Sequence, residues 1–219
     1  GDSFSQVMNG VFKNSPETTF KLIKSSVDEL GYTHHKYQQY FKEIKVEHAT
    51  YTSHEKNGLI ESISGFGLYL EDFSVGAIYP EKNSLNSVLD FIGATKYKWE
   101  VAEEEALLKL IEDNSNATYY PKGEQVILAY NADYENLDYR LAWKFNVYAH
   151  SPMSRAEYYI DAMSNEIIAV CSRCGGHCTV CCDRAGQVVV RGVVLLNAAV
   201  FQMMWRRRST TTVHRALHV

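Results

Sequence analysis

The pair His54-Glu55 begins like the H-E-x-x-H motif with which zinc hydrolases hold and use their metal. That motif needs a second histidine four residues on, at position 58, and Gly58 stands there. The pair also runs directly into Asn57-Gly58, a dipeptide typical of a tight β-hairpin turn rather than of a helix. We therefore predict that His54 and Glu55 form a solvent-facing polar pair on a strand, and that this chain is not an enzyme.

The densest group of potential metal ligands is a cysteine run near the carboxyl end. Cys171, Cys174, Cys178 and Cys181 have the spacing C-x2-C-x3-C-x2-C, with His177 between them. Thiolates and imidazole suit zinc or an iron–sulfur cluster. A usual zinc layout combines two separated pairs, whereas these ligands fall in one short segment. The four cysteines are the metal candidates of this chain, and we favour no bound metal or cofactor.

The segment that holds these cysteines differs in composition from the rest of the chain. Residues 1–170 contain 15 Lys and Arg against 25 Asp and Glu, whereas residues 171–219 contain 7 against 1. All five cysteines lie after residue 170, and all 15 tyrosines lie before it. We interpret 171–219 as an atypical Cys-, Arg- and Val-rich tail, frameshifted or otherwise non-native, with a genuine metal-binding tail as the alternative.

Two other groups of titratable residues invite a chemical interpretation. His34-His35 would point to opposite faces of a strand, so the two rings cannot chelate one ion together. A role in sensing pH is the alternative to a plain structural one. The run Glu103-Glu104-Glu105 is consecutive and would fan around a helix rather than converge for acid–base catalysis. An acidic first helical turn explains it better.

Charge and hydropathy limit the classes of partner. The net charge of −4 argues against nucleic acid as the main partner. The first ten residues lack both a basic start and an apolar run, so we do not expect a signal peptide there. The apolar stretch at 192–205 is shorter than the ~20 residues that a bilayer core requires, so we expect no membrane partner.

The elements that must position these residues are mostly strands. Leu141, Trp143, Phe145 and Val147 alternate with polar or smaller residues, which predicts a half-buried strand, and a second strand should follow His150-Ser151-Pro152. A turn at 161–166 leads to a further extended segment. Upstream, an apolar stripe at 20–30 predicts a helix capped by Ser15 and stopped by Gly31. Strands should follow at 32–40, 44–53 and 59–65.

A second helical pattern begins after residue 79. Helices are predicted at 85–92 and 101–111, and a strand at 126–129 precedes the strand pair described above. The sequence thus predicts an α+β fold of two small tandem units, each with one or two helices packed on a three- to four-stranded antiparallel sheet, followed by an irregular tail.

The stretch from Gly31 to Gly65 resembles the fungalysin/thermolysin propeptide (FTP) domain. In that family a strand pair of the form Q-x-y-x-G-i-p-V-x-g-a precedes a hairpin of the form h-x-x-x-N-G-x-v-x-x-i-s-G. The matching positions are Gln39, Tyr40, Ile44, Val46, Ala49, His54, Asn57, Gly58, Ile63 and Gly65. This chain departs from the pattern at three positions. Glu43 stands where the family usually has Gly, and Lys45 stands where it usually has Pro. His48 stands near another usual Gly.

The stretch from Lys122 to Ile168 resembles the PepSY-type unit that follows in the pro-regions of thermolysin-like peptidases. The matching positions are Leu141, Tyr148, Pro152, Arg155, Asp161, Ala162, Glu166 and Ile167. Asn165 replaces the Gly usual in that turn. The resemblance divides the chain into a leader at 1–15, an FTP domain at 16–75, a PepSY-type domain at 79–170 and the tail at 171–219.

The resemblance implies the propeptide of a secreted thermolysin-like metalloendopeptidase, extracellular or periplasmic, that chaperones and inhibits its peptidase domain. That zinc-containing peptidase domain is the implied partner, and residues 171–219 do not contain it. The segment after Ile168 would run extended through the active-site cleft. Interface residue types suggest a contact face. Its candidates are Arg140, Tyr148, Arg155, Tyr158 and Tyr159, with a structural ion pair as the equal alternative for Arg155.

Two other functions remain open on the sequence. One is a free-standing protease inhibitor or binding module with no peptidase attached. The other is a membrane-tethered metal-binding protein that uses the cysteine run.

Overall fold

The computed structural model describes residues 3–12, 15–130, 138–172, 187–190 and 193–196. They divide into two compact units, one within residues 1–75 and the other within 76–197. The described chain is mostly β-strand with three α-helices, as the predicted α+β class requires. The domain boundaries that the resemblance implies stay predictions.

The first unit is an antiparallel meander in which each strand pairs with the next. Its elements are α1 (Ser3–Phe12), β1 (Thr18–Val27), β2 (Thr33–Phe41), β3 (Ile44–Lys56) and β4 (Leu59–Phe66).

The helix predicted from the apolar stripe at 20–30 is wrong, because Thr18–Val27 forms strand β1. The strand pairs with β2 along its whole length, from Thr18 opposite Phe41 to Val27 opposite Thr33, with a bulge after Leu22. Of its apolar side chains, Phe20 packs against the core cluster of Phe4 and Tyr51, whereas Leu22 and Val27 are 54% and 70% exposed. Their helix-like spacing therefore does not report a buried helical face.

The helix of this unit lies earlier, in residues predicted to be a loose leader. In α1, Phe4 and Met8 stand four residues apart, so both face the sheet, and both are buried. The Phe4 ring stacks on the Tyr37 ring with a centroid separation of 3.8 Å. Burying each of these side chains stabilises the unit by roughly 1.5–3 kcal/mol.

Backbone torsions explain the glycine positions of the propeptide pattern. Asn57 and Gly58 have φ values of 52° and 78°, so the predicted hairpin turn is confirmed. Glu43, His48 and Asn165, which stand at or near three usual glycines, have φ values of 64°, 62° and 61°. The chain thus keeps the left-handed backbone at these places with residues that adopt it less readily.

The second unit contains two helices and a central antiparallel sheet. Strand β7 pairs with β6, β5 and β8, and β8 pairs in turn with β9. The elements are α2 (Glu81–Ile92), β5 (Lys96–Tyr97), a 3-10 turn (Lys98–Glu100), α3 (Ala102–Ile111), β6 (Glu124–Ala129), β7 (Tyr139–Ser151), β8 (Ser154–Asp161), β9 (Ile167–Ser172), β10 (Gln187–Val190) and β11 (Val193–Leu196).

The sequence located most of these elements. Helix α2 ends at Gly93, whose φ of 62° makes it the expected left-handed cap. One expectation about the carboxyl end is wrong over the described residues: the predicted irregular tail contains a hairpin, in which β10 pairs with β11. The segment after Ile168 is extended as far as Ser172, where β9 pairs with β8. Its passage through the cleft of a peptidase stays a prediction.

The central strand β8 is covered on both faces. Tyr158 packs under α2 with Leu85, Val88 and Phe145. Tyr159 points to the other face and packs in a separate core cluster formed by Val126, Leu128, Ala142, Ile168 and Ala169. Helix α3, by contrast, contributes no buried side chain.

Gly65 is the position of the first unit least able to accept a side chain. A Cβ atom there would lie 2.2 Å from the carbonyl oxygen of Thr50 and 2.7 Å from the Cα of Tyr51, and its φ is +140°. We expect Gly65→Ala to lower the free energy of unfolding by about 2–3 kcal/mol in urea denaturation, since backbone atoms cannot move aside.

Gly10→Ala is the matched control, because a Cβ at Gly10 in α1 would meet nothing within 4 Å. Removing a helical glycine should raise stability by up to about 1 kcal/mol. Equal changes in the free energy of unfolding for Gly65→Ala and Gly10→Ala would contradict this account of the contact between β3 and β4.

Candidate functional site

His54 lies on β3, as predicted, but its ring is not simply solvent-facing. The register of β2 and β3 places it opposite His34. The two Nδ1 atoms are 2.8 Å apart, His34 Nε2 lies 3.0 Å from Asp28 Oδ2, and His54 Nε2 lies 2.9 Å from Ser64 Oγ. Asp28, His34, His54 and Ser64 thus form a hydrogen-bonded row, called here the histidine row.

The histidine row accommodates one positive charge but not two. An Nδ1–Nδ1 hydrogen bond needs one donor and one acceptor, so both rings cannot be protonated while it persists. Partial desolvation, and then the neighbouring charge of His34, hold the pKa of His54 below its ordinary value of 6.5. Hydrogen bonds from His34 and from the Tyr32 N–H lower the pKa of Asp28.

His35 has different partners from His34, as expected for adjacent residues on a strand. Its Nδ1 lies 3.0 Å from Ser25 Oγ, and its Nε2 lies 3.7 Å from a Glu55 carboxylate oxygen. Within the described ranges, no three His, Cys, Asp or Glu side chains could hold a metal ion. Cys171 is described and is half-buried on β9, whereas Cys174, Cys178 and Cys181 lie outside the described residues.

The predicted contact-face residues separate into buried and accessible ones. Tyr158 and Tyr159 are only 7% and 3% exposed, so they pack in the core instead of facing a partner. Arg140 is partly exposed and is held by two carboxylates: its Nη2 lies 2.6 Å from Asp138, and its Nη1 lies 3.4 Å from Asp161.

Tyr148 and Arg155 come together directly. They are opposite one another on β7 and β8, and the Arg155 guanidinium carbon lies 5.2 Å from the centroid of the Tyr148 ring. Arg155 Nε donates to Asn146 Oδ1 at 3.1 Å, and the described residues provide it with no ion pair. Among the described residues no carboxylate supports the structural ion pair, and the contact role of Arg155 stays a prediction.

These residues line one wall of a pocket of about 260 Å³. The other wall is the loop at 118–122. Glu105 on α3 holds this loop in place, because its carboxylate accepts the N–H of Tyr119 at 2.7 Å. The neighbouring Glu104 pairs instead with Lys98, so the acidic run does fan around its helix as predicted. No local sequence signal links the loop to β7, and sequence analysis missed the pocket.

The histidine row was also missed, for a reason of register. Counting back from the turn at Lys42-Glu43 would pair His34 with Tyr51, because Phe41 lies opposite Ile44. A bulge on β3 moves the register by three residues and brings His54 into place.

The histidine row predicts a specific loss of stability on acidification. Because the pKa of His54 is lower in the folded state than in the unfolded chain, its stabilising contribution is complete above pH 6.5 and is lost as the pH falls below that value. We expect His54→Gln to flatten the fall in Tm between pH 7.5 and 5.5, measured by circular dichroism. His35→Gln, on the same strand pair, should keep the fall; identical pH profiles for His54→Gln and the parent would refute the assignment.

No curated protein matches this chain. Among solved structures, it is similar to the Bacillus megaterium YpeB C-terminal domain at 10% identity and a TM-score of 0.36, over 80% of this chain and 67% of that chain. Within the described residues, no helix is both long and apolar enough to cross a bilayer. Residues 18–65, which run from the start of β1 almost to the end of β4, match the family model of the Fungalysin/Thermolysin Propeptide Motif, as the sequence resemblance implied.

Proposed function

We propose that this chain is the propeptide region of a secreted thermolysin-like metalloendopeptidase, and that it chaperones and inhibits the peptidase domain. The match of residues 18–65 to the propeptide motif is the observation that carries the proposal. A propeptide motif implies a region that is not itself catalytic. The chain then acts by docking onto a folded or folding protease, in an extracellular or periplasmic setting.

The motif residues support this function by fixing a rigid frame. Gln39 is buried, and its side-chain amide both donates to the carbonyl of Leu68 at 2.6 Å and accepts the N–H of Leu68 at 2.8 Å. This pair of bonds pins the chain that leaves β4 against β2. Since Gln39 and Gly65 are committed to internal contacts, the residues that touch a partner must be others.

The exposed apolar side chains of β1 fit that role best. Strand β1 lies at the end of the first unit's strand order, so one of its edges is free of any described strand. Leu22, Ile23 and Val27 are each more than half exposed, although burying apolar side chains is the main favourable term in protein association. A protease surface that covers them would recover this free energy.

Docking of this kind explains both proposed activities, the chaperoning of the peptidase domain and its inhibition. Chaperoning follows from mass action. A ligand that binds the native peptidase but not its unfolded chain stabilises the native state by RT ln(1 + [L]/Kd), about 2.7 kcal/mol when the ligand is at 100 times Kd. The same complementary contact blocks substrate access until the propeptide is removed.

The direct test uses the purified full chain and a thermolysin-type zinc endopeptidase. We expect the chain to slow peptide hydrolysis in a saturable manner and to increase the yield of active enzyme on refolding. Casein hydrolysis by the chain alone, or no effect on any thermolysin-type enzyme in either assay, would refute the proposal.

Substitutions on β1 test where the docking occurs. We expect the double variant Leu22→Ser with Val27→Ser to weaken inhibition about tenfold, which corresponds to about 1.4 kcal/mol, because two exposed apolar anchors are lost. Lys24→Ser, an exposed position on the same strand, is the matched control and should inhibit like the parent. Equal inhibition constants for all three chains, at unchanged Tm, would exclude β1 as the contact.

A further inference from the structure

The pocket between the 118–122 loop and the β7–β8 strand pair has the chemistry of an anion site. Two cations line it, Arg155 from β8 and Lys122 from the loop. Neither has a carboxylate partner among the described residues. This is unusual for the first 170 residues of the chain, in which acidic residues outnumber basic ones by 25 to 15.

Nearby carboxylates are already engaged elsewhere. Glu157 lies two residues beyond Arg155 on the same strand and pairs with Lys144 at 3.4 Å. Glu104 pairs with Lys98. Glu157 and Glu104 therefore neutralise other lysines. Glu105 and Glu81 instead accept the backbone N–H groups of Tyr119 in the loop and of Gly123 directly after it. Among the described residues none of these carboxylates pairs with Arg155 or Lys122, so the two cations remain available to a ligand.

The guanidinium of Arg155 is also held in a fixed orientation. Its Nε donates to Asn146 Oδ1 at 3.1 Å, and its guanidinium carbon lies 5.2 Å from the Tyr148 ring centroid. Tyr148 is itself fixed by an edge contact with the Tyr119 ring at 5.6 Å. Anchoring through Nε leaves the two terminal nitrogens to form the paired N–H bonds with which arginine binds a carboxylate.

The geometry points to a binding site for a peptide carboxylate, in which Arg155 forks onto the carboxylate of an acidic side chain and Lys122 adds a second charge from the loop. The tyrosines around it suit a peptide, since they offer flat apolar surface beside hydroxyl groups. This inference rests on the proposed function only for the identity of the protein that carries the carboxylate, namely the peptidase domain. The ligand chemistry itself can be tested with no peptidase present.

The test is a titration of the ¹⁵N-labelled full chain, followed by NMR, with glutamate blocked as its N-acetyl N′-methylamide. We expect saturable shifts of the amide signals of Tyr119, Lys122 and Arg155. Blocked glutamine, which has the same shape without the charge, should produce no saturable shift. Inorganic phosphate is the third probe, and saturation by phosphate without saturation by blocked glutamate would overturn the carboxylate assignment.

Variants separate the pocket from general surface charge. We expect Arg155→Gln to weaken binding of blocked glutamate at least fivefold and Arg155→Lys to fall between it and the parent, because lysine keeps the charge without the fork. Lys122→Gln should also weaken binding, whereas Lys24→Gln, on exposed β1, should not. Equal affinity in Arg155→Gln and the parent overturns the inference, and that result would leave the β1 inhibition assay unaffected.

Discussion

The bulge on β3 is the constraint on which the first unit depends. Gln38 lies opposite Thr50 and Tyr40 lies opposite Lys45, so residues 46–49 of β3 face Gln39 alone. The side-chain amide of Gln38 spans the bulge by donating to the carbonyls of Val46 at 2.6 Å and Ala49 at 2.9 Å. A buried amide with satisfied hydrogen bonds fixes a register more firmly than apolar packing does, because any slip would leave polar groups unpaired.

That register sets the cross-strand partners of the β2 and β3 residues beyond the bulge. His34 meets His54 and His35 comes within reach of Glu55 because the bulge displaces β3 by three residues. The left-handed backbone of His48 lies inside the bulge, where the resembling family has a nearby glycine. The adjacent Gln39 then ties β2 to the chain beyond β4. The residues of the propeptide motif thus serve mainly to hold the strands of this sheet in register.

The sequence predicted those features of the fold that depend only on residues close together in the chain. Asn57-Gly58 specified its turn, Gly93 ended α2, and the alternation from Leu141 to Val147 identified β7, since each signal depends on neighbouring residues alone. The spacing of Phe20, Ile23 and Val27 misled because only Phe20 packs against the core, and the exposed part of the strand places no restriction on where its apolar residues fall. The register of His34 and the wall at 118–122 depend on distant contacts, which no local pattern encodes. Tyr148 and Arg155 were chosen by residue type, and their pairing follows from the short turn between β7 and β8.

The position of β8 has a consequence for how this unit opens. Its main chain is bonded on one side to β7 and on the other to β9, while Tyr158 and Tyr159 fill the core on its two faces. The amides of β8 that bond to β9 are released when β9, the last strand of the order, frays. Those that bond to β7 lie between two interior strands, so they exchange with deuterated water only when the core of the unit opens. The exchange rate of this second set therefore measures the stability of the whole unit, whereas the amides of β1 at its open edge report local fluctuation.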